Sequence, residues 1–146
     1  MTDTETVTLA ALRRTAELYA IGADRRDKAM WRDVLTDDCI IAGPGFVSTG
    51  IEACLGSIDA LATMFSRTHH RVFHVYAAID GNSATGETTA SADHLLPNSD
   101  QILCWAIRYQ DRWRNDDGKW RFTHRTLIVD WEEMRTVRLI EEGEVK

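Results

Sequence analysis

This chain is short of most features that would mark a special class. No apolar run approaches the ~18 residues of a membrane span, and the opening MTDTETVT is acidic and polar with no apolar segment behind it. Those absences predict neither a membrane helix nor a secretory leader, and hence a cytoplasmic protein. Cysteine is limited to Cys39, Cys54 and Cys104, an odd number with no C-x-x-C pair. That argues against a disulfide framework and predicts reduced, buried thiols. Nothing around them is arranged to lower a thiol pKa, so a catalytic cysteine is not expected. Positive charge is in deficit, with 17 Lys and Arg against 23 Asp and Glu and a net charge of -6. The electrostatic footprint of a nucleic-acid binder is missing. The one basic stretch, Arg108 to Arg121, alternates with acids and tryptophans. Repeats, linkers and low-complexity segments are absent too, and the length suits one domain over 1–146.

What is present is enough apolar material, 44%, for a sizeable core. Leu9, Leu12, Ala16, Tyr19 and Ala23 recur at spacings of three and four and predict a helix from about Thr6 to Ala23. Asp27 can cap a second, short helix that buries Met30, Trp31, Val34 and Leu35. CIIAG (39–43) reads as a short strand stopped by Gly43-Pro44-Gly45. A third helix follows Thr49-Gly50, with Ile51, Leu55, Ile58, Leu61, Ala62 and Phe65 as its stripe. After Ser66 the period falls to two. Thr68–Ile79, Ala84–Leu96, Gln101–Arg114 and Trp120–Trp131 read as four strands, with Asp80-Gly81 and Asp117-Gly118 as hairpin signals. Short turns make them antiparallel neighbours. The expected fold class is α+β, with three N-terminal helices packed on a curved antiparallel sheet that encloses a pocket. Residues 1–5 and the charged tail 135–146 are expected to be frayed or partner-dependent.

RTHHRVFHVY (67–76) gathers three of the five histidines. A metal site would need His70 and His74 close together. On a strand, four residues separate them by about 13 Å, and zinc reaches each ligand at only about 2.1 Å. His69 and His70 face opposite sides of a strand. No metal is therefore expected. The plain alternative is three half-exposed structural histidines, with His70, Val72, His74 and Tyr76 on one face and Phe73 and Val75 on the other. Against it stands the line Leu12, Ala16, Ala20, Asp24, which ends an apolar stripe of small residues in a carboxylate able to orient an imidazole. Asp24 equally belongs to the charged run DRRD (24–27). His94 shares a face with Ala90 and Ala92. Arg125 shares one with Leu127 and Val129, where a cation is paired, held for a ligand, or at a strand edge. His124 alternates with Phe122 and Thr126 on the other face. The tryptophans read as core and interface residues.

Four segments carry a resemblance: YAIGADRRD, SRTHHRVFHVYAAIDG, TASADHL and RYQDRWRNDDGKWRFTHRTLIVDW. Together they resemble the NTF2-like superfamily, a cone-shaped α+β fold, and within it the SnoaL-like branch. The functional pattern is similar to that of scytalone dehydratase, hexachlorocyclohexane dehydrochlorinase and bile-acid dehydratase. The resemblance implies an Asp24–His70 dyad, a polar partner at Tyr19, an arginine at Arg125, and a second histidine at His94 or, one residue away, an acid at Asp93. It implies a cofactor-independent lyase of dehydratase or dehydrohalogenase type acting on a small, largely apolar cyclic molecule. His70 would remove a proton from carbon while Asp24 fixes its tautomer. An isomerase or cyclase using the same base, or a non-catalytic subunit of the same fold, are the alternatives. The family habit of pairing through exposed sheet faces implies a homodimer or homotrimer.

Overall fold

The computed structural model describes residues 1–141. The first helix, α1 (Asp3–Arg25), begins before its apolar stripe because Thr2 builds a capping box with Glu5. The Thr2 hydroxyl accepts the Glu5 N–H at 3.1 Å, and the Thr2 N–H donates to Glu5 Oε2 at 2.9 Å. Residues 3–5 are thereby helical, three positions earlier than the stripe predicts. Arg26 ends the helix in the left-handed region at φ 55°. Asp27 then caps α2 (Lys28–Val34), accepting the Met30 N–H at 3.0 Å.

β1 (Leu35–Gly43) and β2 (Phe46–Thr49) form a small hairpin around Pro44 and Gly45. β2 is a strand that the turn signals alone did not suggest. After α3 (Ile51–Met64) come β3 (Arg67–Asp80), β4 (Ser83–Leu95), β5 (Gln101–Asp116) and β6 (Lys119–Thr136). These four are antiparallel neighbours as predicted. At the β5–β6 hairpin both Asp117 and Gly118 have positive φ, the primed-turn geometry that an Asp-Gly pair favours. The sheet order is β2-β1-β6-β5-β4-β3. β1 pairs with β6 in parallel, so the sheet is mixed rather than purely antiparallel. More than seventy residues of chain separate those two strands, ample for the long connection that parallel pairing requires.

Bulges in β3 and β6 interrupt the simple alternation. Phe73 is an extra residue in β3, since Val72 and His74 pair with consecutive residues of β4. The inward face is therefore Thr68, His70 and Val72, and beyond the bulge Val75, Ala77 and Ile79; His74 and Tyr76 turn outward. Strict alternation put Val75 outside and His74 inside, and the bulge reverses both. Thr123 and Asp130 are extra in β6. The Thr123 bulge brings Phe122 and Arg125 to the same buried face, correcting the expectation that Phe122 shares a face with His124.

The core lies between the helices and the inner sheet face, built on Leu12, Ala16, Trp31, Leu55, Ile58, Trp113 and Phe122. Cys39 and Cys54 are free and wholly buried within it. No helix among the described residues is long and apolar enough to cross a membrane. Trp31 Nε1 donates to the Tyr19 carbonyl at 2.9 Å, and this close seat depends on Gly22. A Cβ at Gly22 would stand 2.6 Å from Trp31 Cδ1. Gly22→Ala is expected to destabilise the fold by about 1–3 kcal/mol through overpacking, read as a lower urea midpoint at unchanged m-value.

Candidate active site

Asp24 occupies the last turn of α1, beside the negative end of the helix dipole, where a carboxylate is disfavoured. β3 supplies the compensating donors. The His70 backbone N–H donates to Asp24 Oδ2 at 2.8 Å, and the Thr68 hydroxyl donates to Oδ1 at 3.0 Å. The His70 Nδ1 lies 2.6 Å from the same Oδ1. Arg26, at the cap of α1, donates to Thr68 Oγ1 at 2.9 Å and to the Ala23 carbonyl at 2.7 Å, which holds Thr68 in place as a donor. Burial pushes the Asp24 carboxyl up, but the hydrogen bonds from His70 and Thr68 outweigh it and hold it below the usual range. An ionised Asp24 only accepts, so Nδ1 of His70 carries a proton, and the tautomer this selects keeps its lone pair on Nε2.

His94, on β4, faces inward, settling the choice between it and Asp93. Asp93 faces outward in ion pairs with Arg71 and Arg135. His94 is 1% exposed, and its Nδ1 is 2.9 Å from the Leu103 carbonyl, which can only accept. Nδ1–H therefore donates, and Nε2 is again the bare nitrogen. Burial lowers the His94 pKa against the opposing pull of the Leu103 carbonyl. Its ring lies 4.5 Å from Phe65, 4.8 Å from Trp105 and 6.0 Å from the His70 ring, near perpendicular to the last.

Both imidazoles border a cavity of about 690 Å³ lined by α1, α2, α3, the β1–β2 hairpin and the inner face of the sheet. Small residues of α3, Ala53, Gly56, Ser57 and Ala60, leave the room, and Trp31, Ile41, Phe46, Leu127 and Val129 make the rest largely apolar. Tyr19 lines it too, stacked on Trp31 at 4.3 Å. So do Tyr109 and Trp105 of β5, which pattern reading did not single out. The signal for Tyr109 was its place on the inward face with Ile107, Asp111 and Trp113; for Trp105 it was register opposite Ala92, which carries the alternation to His94. Thr68, two residues before His70 on one strand face, was equally open to that argument.

Arg125 is not among the residues that line the cavity. It is 1% exposed, bound through Nε and Nη2 to Asp111 at 2.8 and 3.2 Å. Thr88 donates to the same carboxylate at 2.6 Å. Of the alternatives open from pattern, this is the paired cation. The guanidinium carbon lies 3.7 Å from the Tyr109 ring centre, 4.1 Å from Phe122 and 4.4 Å from Tyr19. His69 and His74 are exposed, and His124 reaches only Thr123. Among the described residues no group of three His, Cys, Asp or Glu side chains converges as metal ligands do.

The SnoaL-like domain family matches residues 5–126, and the chain belongs to that family. No curated protein matches it. Among solved structures it is similar to a provisionally assigned scytalone dehydratase from Novosphingobium aromaticivorans, at 23% identity and a TM-score of 0.84 over 100% of both chains. It is also similar to a type 2 hexachlorocyclohexane dehydrochlorinase, at 18% identity and a TM-score of 0.86 over 95% of this chain and 97% of that one. A type 3 dehydrochlorinase from Novosphingobium barchaimii gives 16% and 0.84 over 94% and 97%. At these identities the likeness shows the fold, the NTF2-like α+β cone.

The burial of His94 carries a pH signature. The folded pKa is depressed, so below the unfolded value of about 6.5 the unfolded chain binds the proton first. Stability is therefore expected to fall as pH drops from about 6.5 toward 5. In His94→Gln that part of the slope of unfolding free energy against pH should be absent. Equal slopes in wild type and variant would contradict the burial of a neutral ring.

Proposed function

We propose that this protein is a cofactor-independent lyase, of dehydratase or dehydrohalogenase type, acting on a small, largely apolar cyclic molecule. The observation that carries the reading is the 2.6 Å contact of Asp24 with His70 Nδ1 at the wall of an apolar cavity of about 690 Å³. Such a contact leaves Nε2 of His70 as the base. Nε2 takes a proton from carbon, the electron pair forms the new double bond, and the bond to the leaving group breaks. Asp24 accepts the hydrogen bond from Nδ1–H throughout and stabilises the imidazolium. When the leaving group is hydroxide, the imidazolium returns the proton and water departs. His94, with Nε2 as an acceptor, holds a substrate hydroxyl in position, and Tyr19 donates to a substrate oxygen. Burial pushes the Tyr19 phenol well above its ordinary pKa, so it remains a donor.

A thermal-shift screen of cyclic alcohols, ketones and halides will find ligands, because binding to the folded state raises its apparent stability. For any hit that is turned over, His70→Gln is expected to lower kcat by about 100-fold or more, with Asp24→Asn next in severity. Equal turnover by His70→Gln would remove the imidazole as base. The same reading has the outer sheet face, where Phe73, Tyr76 and Trp131 are 51–75% exposed, meet a second copy of the chain. Light scattering is then expected to give a dimer or trimer mass, and Tyr76→Glu to shift it toward monomer.

A further inference from the structure

The family resemblance led to the expectation that Arg125 meets the substrate, yet this cation lies behind the cavity wall. Three observations define what it does instead. Its hydrogen bonds go to Asp111, a residue 3% exposed that is itself anchored by Thr88. Its planar guanidinium is packed among the rings of Tyr19, Tyr109 and Phe122. Both tyrosines line the cavity while being only 6% and 7% exposed, and neither phenol hydroxyl has a hydrogen-bond partner among the described residues. Among the described residues the only side-chain polar atom that is wholly shut in without a partner is Trp113 Nε1, so neither phenol hydroxyl is sealed in the core. The open space that both rings border is the cavity.

We propose that Arg125 is a positioning residue: locked to Asp111 and Thr88, it holds Tyr19 and Tyr109 as a pair of donors that receive a substrate oxyanion. This rests on the lyase reading above and narrows its substrate class. No lysine or arginine lines the cavity, and the one carboxylate there, Glu132, is bound to Trp105 Nε1 at 2.8 Å. A substrate whose negative charge lies away from the two phenols finds no cation to meet it. A neutral ring with a carbonyl beside the carbon that loses its proton does fit. Its oxygen becomes negative only as His70 takes the proton, and two fixed phenols then donate to it. The Tyr19 and Tyr109 rings meet edge to face at 6.1 Å, so the two donors are borne by neighbouring rings of the cavity wall. A bidentate, ring-stacked guanidinium is suited to fix them, because its planar fork loses little freedom when it binds.

Equilibrium binding of 4-nitrophenol to the full-length chain tests this, since its phenol and phenolate forms are distinguished by absorbance. Wild type is expected to bind the phenolate at least as tightly as the phenol, against the ordinary preference of an apolar cavity. Tyr109→Phe should weaken phenolate binding by roughly tenfold or more and phenol binding by less than about threefold. The paired replacement Arg125→Met with Asp111→Asn removes both buried charges together and leaves no orphan. It should give the same selective loss, and adding Tyr109→Phe to it should cost little more. General loosening of the wall would weaken both forms alike and would overturn the proposal. So would an unchanged phenolate preference in Tyr109→Phe, or losses that multiply in the combined variant, which would mean that Arg125 meets the anion itself. None of these readings needs turnover. The expected binding pattern without any elimination activity would sink the lyase reading alone, whereas His70-dependent turnover without a phenolate preference would sink this inference alone.

Discussion

The Asp24 carboxylate stands at the negative end of a 23-residue helix, partly withdrawn from water, and three donors from Thr68 and His70 of β3 keep it there. Much of the molecule is arranged around that need. Because two of the donors are the backbone N–H and the ring of one residue, the position of α1 along β3 is set to within a hydrogen bond. Once that is fixed, Tyr19 and Ala23, on the same helix face, fall against the cavity, and Gly22 admits the Trp31 ring beside them. A helix free to slide by one residue would lose all three contacts together.

A second buried carboxylate, Asp111, is treated in the opposite way. It is fully paired with a cation and a hydroxyl and sealed from the cavity. Burying an ion pair costs desolvation that the attraction between the charges only partly returns, so stability alone does not explain its presence. Its partner Arg125 is in contact with three aromatic rings, two of which border the cavity. The two carboxylates thus divide the work. One meets an imidazole on the cavity wall, and the other fixes a cation behind that wall.

Much of the architecture is legible in the residues. The i, i+4 line through Leu12 and Ala16 marks α1, Asp27 marks the start of α2, and the two Asp-Gly pairs mark hairpins that form where they fall. The proximity of Asp24 and His70 is legible through the family resemblance more than through pattern, since DRRD reads equally as a solvated run. Less legible is whatever depends on a single inserted residue. Alternation cannot see the bulges at Phe73 and Thr123, so it misassigned His74, Val75 and Phe122. Nor can it tell a paired cation from a free one. Asp111 and Arg125 are 14 positions apart and meet only because β5 and β6 align them as cross-strand partners. The parallel union of β1 with β6 is a long-range choice with no local turn signal at all.

The bulge at Phe73 means that β3 is two strands in one. Its first half faces Asp24 and the cavity through Thr68 and His70; its second half faces the core through Val75, Ala77 and Ile79. The extra residue decouples the phase of one from the phase of the other. Substitutions that reshape the apolar packing of the second half therefore need not rotate the imidazole of the first. A strand without that hinge would have tied the chemistry of the site to every change in the core, and Phe73, exposed on the outer side and part of neither inward half, is the joint that lets the two halves diverge.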